Sequence, residues 1–338
     1  MRVTLRDIAK RVNLSHAAVS FVLNERMDVA IPAATRERVL QAAREMGYRP
    51  NRAAQALVRG RTNTITLWQP RAGSEHPEGA QAGFADLLST DGYELVVRLF
   101  DRNTQASETP WEVDDWPVDG VLMLDCFQAA GAGYSKDPGI PLVSLGTLYD
   151  PGCDHVGVNW MSGVAEAMAH LFDAGCRRVA YFAPDGVGPD NPKYAAYAAE
   201  CRTNGIEPNA TTALNAGPRA VVDSIRVHLA ATGKPDAILA HNLELGMVAQ
   251  RALADAGFSI PGDVLLVVFD GSDRCELTVP TTTSIADPRA EMYLRAWEVL
   301  RSRIEAQRGD DEPTKAPQHA DLLPTKLIVR GSSVRASR

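Results

Sequence analysis

The first two dozen residues place two short amphipathic helices on either side of a tight turn. Thr4 suits the N-cap of the first helix, with Asp7 three residues later, where an acid favours a helix start. Asn13 tolerates the left-handed conformation that a tight turn needs, and Ser15 suits the N-cap of the second helix. Apolar residues recur at helical spacing on one face of each helix, at Ile8, Ala9, Val12, Ala18, Val19, Val22 and Leu23. The pattern predicts a helix-turn-helix unit.

Charge divides the chain near residue 61. The formal net charge of the whole chain is −7, which by itself argues against binding to nucleic acid. Residues 1–61, however, carry twelve lysines and arginines against five acids, whereas the remainder carries 23 against 37. A basic head on an acidic body predicts that only the head meets phosphate groups.

The second helix of a helix-turn-helix unit lies in the major groove of DNA, with its first residues at the base edges. His16 and Ala17 begin this helix and point outward, and Ser20 and Phe21 follow one turn later. His16 can donate or accept a hydrogen bond at a base edge, while Ala17 and Phe21 offer apolar contact to a thymine methyl. Packing of Phe21 into the core of the head stays open as an alternative.

A third helix is predicted over residues 33–46, between Pro32 and Gly47, with its inner stripe at Val39, Ala42, Ala43 and Met46. Pro50 then blocks continuation of the helix, and a new segment over residues 51–59 begins at an asparagine that can cap it. That segment is too short to be a stable helix alone. We expect it to be disordered in the free protein and to fold on DNA.

The strings VTLRDIAKRVNLSHAAVSFVLN, TRERV and GYRPNRAAQALVRGRT resemble the head of the LacI/GalR family of bacterial repressors. The resemblance implies a homodimer that binds a pseudopalindromic operator, with His16, Ala17 and Phe21 as major-groove readers. It also implies a hinge helix in the minor groove, where Leu57 wedges between base steps and kinks the duplex. The DNA-binding set it implies is Thr4, Leu5, Ser15, His16, Ala17, Ser20, Phe21, Asn24, Asn51, Arg52, Ala54, Gln55 and Leu57.

The head departs from the family pattern at several of these positions. Asn13 stands where a glycine is common in the turn, and Ala17 and Phe21 are apolar where polar or basic readers are frequent. Direct hydrogen-bond readout of bases is therefore expected to be thin. Readout of the shape of the kinked centre, made by Leu57, is expected to matter more.

From Thr64 the pattern changes to short apolar runs separated by helical stretches, which predicts parallel sheets built from βαβ units. The 338-residue length accommodates about two such sheets. Predicted strands are Ile65–Trp68, Glu94–Phe100, Gly120–Leu124, Leu142–Leu145, Arg178–Phe182, Ala237–Ala240 and Val264–Phe269. Predicted helices lie around 79–91, 161–174, 193–204, 218–232 and 243–256.

The body resembles the effector domain of the same family, which is similar to a periplasmic sugar-binding protein. The strings that carry this are HVGVNWMSGVAEAMAHLFDAGCRRVAYFA, PDAILAHNLELGMVAQRALADAGFSIPGDVLLVVFDG, VPTTTSIADP and LLPTKLIVRGSS. The resemblance implies an all-α head plus an α/β body of two doubly wound parallel-sheet subdomains joined by three crossovers. The implied boundaries are a head at 1–49, a hinge helix and linker at 50–61, and a body at 62–338. Its N-subdomain covers about 62–157 and 288–320, and its C-subdomain about 158–287 and 321–332. Residues 101–117 replace an expected helix with an acidic loop.

Ligands of such folds bind in the crevice at the carboxyl ends of the strands. The cleft residues carried over from the family are Trp68, Gln69, Pro70, Asp125, Cys126, Phe127, Gly146, Thr147, Trp160, Lys193, Asn242 and Asp270. Asp270 and Asn242 suit the hydroxyls of a sugar-like or nucleoside-like effector, and an aromatic ring suits its flat face. A buried carboxylate such as Asp270 is costly unless it is paired. Capping of loops at strand ends is the alternative for each of these residues.

Two departures weaken the sugar hypothesis. Lys193 stands where an arginine usually forms a planar fork to ligand oxygens, and a lysine cannot reproduce that bidentate grip. Leu243 follows Asn242 where an aspartate is usual. A non-sugar ligand, weak binding and a vestigial pocket therefore stay open, as does a body that only dimerises or binds a protein.

Other classes of protein find little support. The sequence lacks the phosphate-binding loop of nucleoside triphosphatases, the serine nucleophile elbow and the zinc-protease motif, so an enzyme is not expected, nor a cofactor or a metal. The five cysteines are scattered and read as free thiols in a reducing cytoplasm. No membrane-spanning run or secretory signal is present. The tail lacks a leucine heptad, which favours a dimer over a tetramer.

Overall fold

The computed structural model describes residues 3–24, 26, 29–49, 61–70, 77–100, 118–125, 140–147, 153–184, 186–211, 218–307 and 320–335. The chain divides into two compact units. One comprises residues 1–63 with 114–119, and the other comprises residues 64–113 with 120–338.

The smaller unit contains the three predicted helices, α1 (Leu5–Val12), α2 (His16–Leu23) and α3 (Ala33–Glu45). Thr4 and Asp7 form a capping box at the start of α1, and Asn13 ends that helix in the left-handed conformation with a φ of 52°. Ser15 caps α2, as expected. The three helices share a core of Ile8, Ala9, Val12, Val19, Val22, Val39, Ala42 and Ala43. The predicted helix-turn-helix head is confirmed, while the predicted hinge segment at 51–59 lies outside the described residues.

The larger unit is built from two six-stranded sheets in its described part. Its strands are β1 (Thr64–Pro70), β2 (Glu94–Phe100), β3 (Gly120–Leu124), β4 (Leu142–Gly146), β5 (Asp154–Asn159), β6 (Val179–Phe182), β7 (Asn209–Thr211), β8 (Ala237–Ala240), β9 (Leu265–Phe269), β10 (Thr283–Ala286), β11 (Ala320–Pro324) and β12 (Lys326–Ile328). Its helices are α4 (Pro77–Thr90), α5 (Trp160–Asp173), α6 (Pro192–Thr203), α7 (Pro218–Thr232), α8 (Leu243–Asp255) and α9 (Arg289–Ala306). None of the described helices is long and apolar enough to cross a membrane.

The order of strands in the first sheet is β11-β5-β4-β3-β1-β2, and in the second it is β12-β10-β9-β8-β6-β7. Neighbouring strands are parallel, apart from β12, which runs antiparallel to β10. Helix α9 packs on the first sheet and against α4, whereas α5 packs against α6 and the β12 edge of the second sheet. The fold class of two doubly wound subdomains is thereby confirmed. We call the first sheet with α4 and α9 the first lobe, and the second sheet with α5–α8 the second lobe.

In the part of the chain that the structure describes, the chain passes between the lobes three times: after β5, after β10 and at Thr325. The expected return to the second lobe at about residue 320 comes later, because β11 pairs with β5 in the first sheet. Thr325 is buried and ties two of these passages together. Its hydroxyl donates to the Asn159 carbonyl at 2.9 Å and accepts from the Gly163 amide at 3.0 Å.

Burial of a histidine in the first sheet gives the larger unit a sensitivity to acid. His155 is almost fully buried, its Nδ1 lies 2.7 Å from the Ser144 hydroxyl, and burial lowers its pKa to about 4. In the unfolded chain a histidine titrates near pH 6.5. Its contribution to stability is therefore complete above about pH 6.5 and is lost as the pH falls towards 4, because the unfolded state then binds the extra proton.

We expect this one group to lower the free energy of unfolding by about 3 kcal/mol between pH 6.5 and pH 4. Urea titrations across that range measure it. A His155→Gln variant should show a flatter pH dependence of the free energy of unfolding than wild type. Equal slopes in wild type and His155→Gln would contradict the assignment.

Candidate functional site

The start of α2 is exposed as the groove-reading hypothesis requires. Ser15 Oγ accepts from the Ala18 amide at 3.1 Å and caps the helix. His16 and Ala17 are exposed in the first turn. Ser20 is half-buried and accepts from Asn24 Nδ2 at 3.1 Å. These side chains form one surface along α2.

Phe21 does not belong to the core among the described residues of the head. Its half-buried ring lies 5.9 Å from the guanidinium of exposed Arg26, measured to the ring centroid. Core packing, the alternative that the sequence left open, is therefore not what this ring does. An aromatic ring beside a guanidinium at the end of the reading helix suits contact with bases and phosphates.

Two other predicted DNA-binding residues, Thr4 and Leu5, make contacts within the head. The hydroxyl of exposed Thr4 donates to Asp7 at 2.7 Å, and this bond lowers the pKa of the Asp7 carboxyl. Leu5 is half-buried and packs against the core of the head. Exposed basic residues surround the helices at Arg6, Lys10, Arg11, Arg26, Arg38, Arg44 and Arg49. Asn51, Arg52, Ala54, Gln55 and Leu57 lie outside the described residues.

In the larger unit, predicted cleft residues gather where strands end. Gln69 lies near the end of β1, Asp125 follows β3 and Gly146 ends β4, while Asp270 follows β9. Because parallel strands present their carboxyl ends at one edge of a sheet, the residues within each lobe share an edge. Cys126 and Phe127 lie outside the described residues.

Lys193 sits in an aromatic cage formed by three elements. It is the second residue of α6, is only 1% exposed, and its Nζ lies 4.6 Å from the ring centroid of Trp160 and 5.2 Å from that of Phe269. The same Nζ donates to the carbonyl of His241 at 3.4 Å, and His241 Nδ1 lies 2.7 Å from the Tyr181 hydroxyl. The lysine ammonium therefore covers a ring face of Trp160 in a cation–π contact.

Asp270 is paired within the chain. It is almost fully buried, accepts from the Ser272 amide, and lies 3.8 Å from Arg289 Nη2. Arg289 also bonds to Asp287, with Nε 2.9 Å from its carboxylate. Asp270 ends a strand of the second lobe, and Arg289 is the first residue of α9 in the first lobe. The ion pair therefore joins the two lobes.

Asp125 and Gly146 lie against each other at the ends of the neighbouring strands β3 and β4. Asp125 has a φ of 50° and its carboxylate accepts from the Thr147 amide at 2.8 Å. Gly146 has a φ of 114°, and a Cβ there would lie 2.4 Å from Asp125 Oδ1, so only glycine fits. Tyr293 packs nearby, and its burial raises its pKa to about 12. The arrangement holds the Asp125 carboxylate at the strand end.

Apart from atoms that take part in ion pairs, three buried polar atoms at strand ends have no hydrogen-bond partner among the described residues. They are Gln69 Oε1, Trp160 Nε1 and Ser272 Oγ. An orphaned buried donor or acceptor costs about 1–3 kcal/mol. They are an acceptor, a donor and a hydroxyl group, respectively.

Two predicted cleft residues are engaged elsewhere. Asn242 caps α8, with its Oδ1 accepting from the Leu245 amide at 2.8 Å, which is the capping alternative left open by the sequence. Trp68 is buried beside Arg98, whose guanidinium lies 5.8 Å from its ring centroid. No cluster of three potential ligands for a metal ion occurs among the described residues.

Sequence reasoning missed Arg289, Asp287 and Ser272. The signal for them was present, since Asp287 and Arg289 directly follow β10 and Ser272 follows Asp270 after β9. Asp125 and Asp270 were carried over from the family, but the rule that ligands bind at strand ends points to these three residues as well.

Two family models match the chain. Residues 4–51 match the model described as bacterial regulatory proteins, lacI family, and residues 168–333 match a periplasmic binding protein-like domain. The ribose operon repressor of Halalkalibacterium halodurans is 27% identical over 97% of this chain and 96% of the repressor. The transcriptional regulator CelR of Thermobifida fusca is 28% identical over 98% of both chains. The chain belongs to the LacI family of bacterial regulatory proteins.

Solved structures of other LacI-family regulators share the fold of this chain. The Lac repressor dimer bound to operator and an anti-inducer has a TM-score of 0.86 at 21% identity, covering 99% of this chain and 100% of that one, which establishes the fold. A complex of CelR with cellobiose has a TM-score of 0.67 at 26% identity, covering 98% and 100%. The matches to the lacI family model and to curated transcription regulators make the protein a DNA-binding transcription regulator rather than an enzyme.

Proposed function

We propose that this regulator is a cytoplasmic repressor that binds a pseudopalindromic operator as a homodimer and responds to a sugar-like effector in the cleft. The observation that carries the effector site is the set of buried, orphaned polar atoms on Gln69, Trp160 and Ser272. Trp160 lies beside the caged ammonium of Lys193, and the Ser272 amide donates to the carboxylate of Asp270. This mixture of donors and acceptors suits a polyhydroxylated ligand.

The cleft draws its groups from both lobes. Gln69, Asp125 and Arg289 belong to the first lobe, whereas Lys193 and Asp270 belong to the second. A ligand that bonds to both sets stabilises one arrangement of the lobes over another, and only such a differential affinity shifts a conformational equilibrium. Relatives support the ligand class, since one is a ribose operon repressor and another is seen with cellobiose.

Thermal unfolding against a panel of D-ribose, cellobiose, gluconate and adenosine tests the effector hypothesis. A ligand at a hundred times its Kd adds about 2.7 kcal/mol of stability, which is readily measured as a shift in Tm. We expect at least one sugar to raise Tm and to change operator affinity. A shift by none of them favours a body that only dimerises or binds a protein.

Trp160→Phe is expected to separate ligand binding from stability. The variant keeps an aromatic ring but loses part of the indole together with an N–H that has no partner among the described residues. It should therefore lose less stability, by about 1 kcal/mol, than the control variant below, which makes the same change in size. Affinity for the panel ligand with the largest Tm shift should fall by about tenfold. Isothermal titration calorimetry and urea unfolding measure the two effects.

The matched control is Trp297→Phe. Trp297 Nε1 donates to Asp91 at 2.7 Å in the first lobe. That variant should lose stability and keep its ligand affinity. If both variants behave alike, Trp160 Nε1 is not a ligand group.

A further inference from the structure

One carboxylate fastens the chain immediately before strand β1. Asp119 Oδ1 accepts from the Thr62 amide at 2.7 Å and from the Thr62 hydroxyl at 2.8 Å. Asp119 Oδ2 accepts from the Asn63 amide at 3.1 Å. All three residues are half-buried, so the bonds are partly shielded from competing water. We call this group the Asp119 clamp.

Both side-chain oxygens of Asp119 must act as hydrogen-bond acceptors in the clamp. All three of these partners are donors, and only an ionised carboxylate offers acceptors on both atoms. An asparagine offers one oxygen and places an NH₂ group against an N–H. The backbone is fitted to the clamp as well, because Asn63 takes a left-handed conformation with a φ of 52°, which asparagine tolerates.

The position of the clamp in the chain gives it a further consequence. Asp119 directly precedes β3 and Asn63 directly precedes β1, and these strands are neighbours, with Ile65 opposite Gly120. Residues 50–60 connect the DNA-binding helices to Arg61, which immediately precedes the clamp. The carboxylate therefore fixes the point at which that connecting segment departs from two central strands of the first lobe.

We propose that Asp119 is a positioning residue for operator binding, one that sets the departure point of the segment between the head and the first lobe. The proposal rests on the proposed function, because it assumes that a rearrangement of the first lobe changes operator binding through this segment. Without the clamp, the end of the segment at Arg61 is mobile. Ordering it on the operator then costs conformational entropy, which weakens specific binding. Non-specific binding, which depends on phosphate contacts, is unaffected.

The experiment uses the full chain in four forms besides wild type: Asp119→Ala, Asp119→Asn, Thr62→Val and the control Asp86→Ala. Asp86 is an exposed aspartate on α4, so its removal changes net charge equally. The first readout is the rate of tryptic cleavage after Arg61 in the free protein. The second is affinity for a duplex selected by wild type from a randomised pool, against a scrambled duplex of equal length.

Cleavage after Arg61 should accelerate by about tenfold in Asp119→Ala and Asp119→Asn, and less in Thr62→Val, which removes one donor of three. Affinity of both Asp119 variants for the selected duplex should fall several-fold, with affinity for the scrambled duplex unchanged. Asp86→Ala should match wild type in every readout.

Unchanged cleavage would overturn the clamp. Faster cleavage with unchanged affinity for the selected duplex would show a structural bond with no positioning role, and would equally overturn the proposal. Should either Asp119 variant fail to fold, the graded effect of Thr62→Val decides. If wild type selects no duplex, the proposed function fails, while the cleavage rates still test the clamp by themselves.

Discussion

Ala17→Glu is expected to lose binding to the operator by at least about a hundredfold, with no loss of folded structure in the head. Ala17 is exposed in the first turn of α2, and its position in the reading helix would bring the new carboxylate to the base edges. There it meets the field of the phosphates and the acceptor atoms of purines. A single unfavourable position costs about 1–3 kcal/mol, and a dimer carries the substitution at both half-sites.

Ala34→Glu is the matched control. Ala34 is exposed in the first turn of α3, where an acid suits the helix dipole, and the substitution makes the same change in net charge. Fluorescence anisotropy with a selected duplex and a scrambled duplex measures both variants. An equal loss in both would assign the effect to net charge and would remove α2 from its reading role.

Arg289→Ala is expected to destabilise the larger unit by about 3 kcal/mol, or on the order of 10 °C in Tm. Side-chain exposure is 16% for Arg289, 0% for Asp270 and 10% for Asp287. Loss of the guanidinium leaves two carboxylates close together with little water to solvate them. Breaking one side of a buried ion pair is costly for this reason. Response to the effector should be lost as well, because the pair joins the lobes.

An exposed ion pair provides the comparison. Arg251 Nε lies 2.9 Å from Asp255, as close as Arg289 Nε lies to Asp287, but the Arg251 side chain is 72% exposed. Arg251→Ala should change stability by less than about 1 kcal/mol. Calorimetric unfolding of both variants measures the difference, and similar small shifts in both would show that the Arg289 pair contributes little.

The head was predictable from the sequence almost residue by residue, because its signals are local. Capping by Thr4 and Ser15, the left-handed Asn13 and the apolar stripes each act within one helix or turn. The body was predictable where strands are continuously apolar, as in β3 and β9.

Other elements of the body were missed for physical reasons. Strand β5, with the sequence DHVGVN, buries an aspartate and a histidine, so its composition hides it. Its Asp154 is neutralised by Arg303 of α9, with contacts at 2.7 Å and 2.8 Å. Helix α9 itself went unpredicted although its buried residues fall at helical spacing, at Met292, Tyr293, Ala296, Trp297, Leu300 and Ile304.

The sequence predicted that the candidate site lies at strand ends, but it did not predict which residues pair with one another there. Asp270 was expected to need a ligand because an unpaired buried carboxylate is costly, and the structure supplies Arg289 from another lobe. Lys193 was interpreted as a weak substitute for arginine. In the structure its ammonium lies against aromatic rings from α5 and β9, which the sequence did not predict. Such pairings arise from tertiary contacts between distant segments, which local patterns do not carry.

Selection of duplexes from a randomised pool by the wild-type chain tests the central claim most directly. The account predicts enrichment of an inverted repeat by wild type and its disappearance when Ala17→Glu is used for the same selection. Recovery of duplexes with no shared sequence by wild type would contradict the assignment of this chain as a sequence-specific regulator that reads DNA through α2.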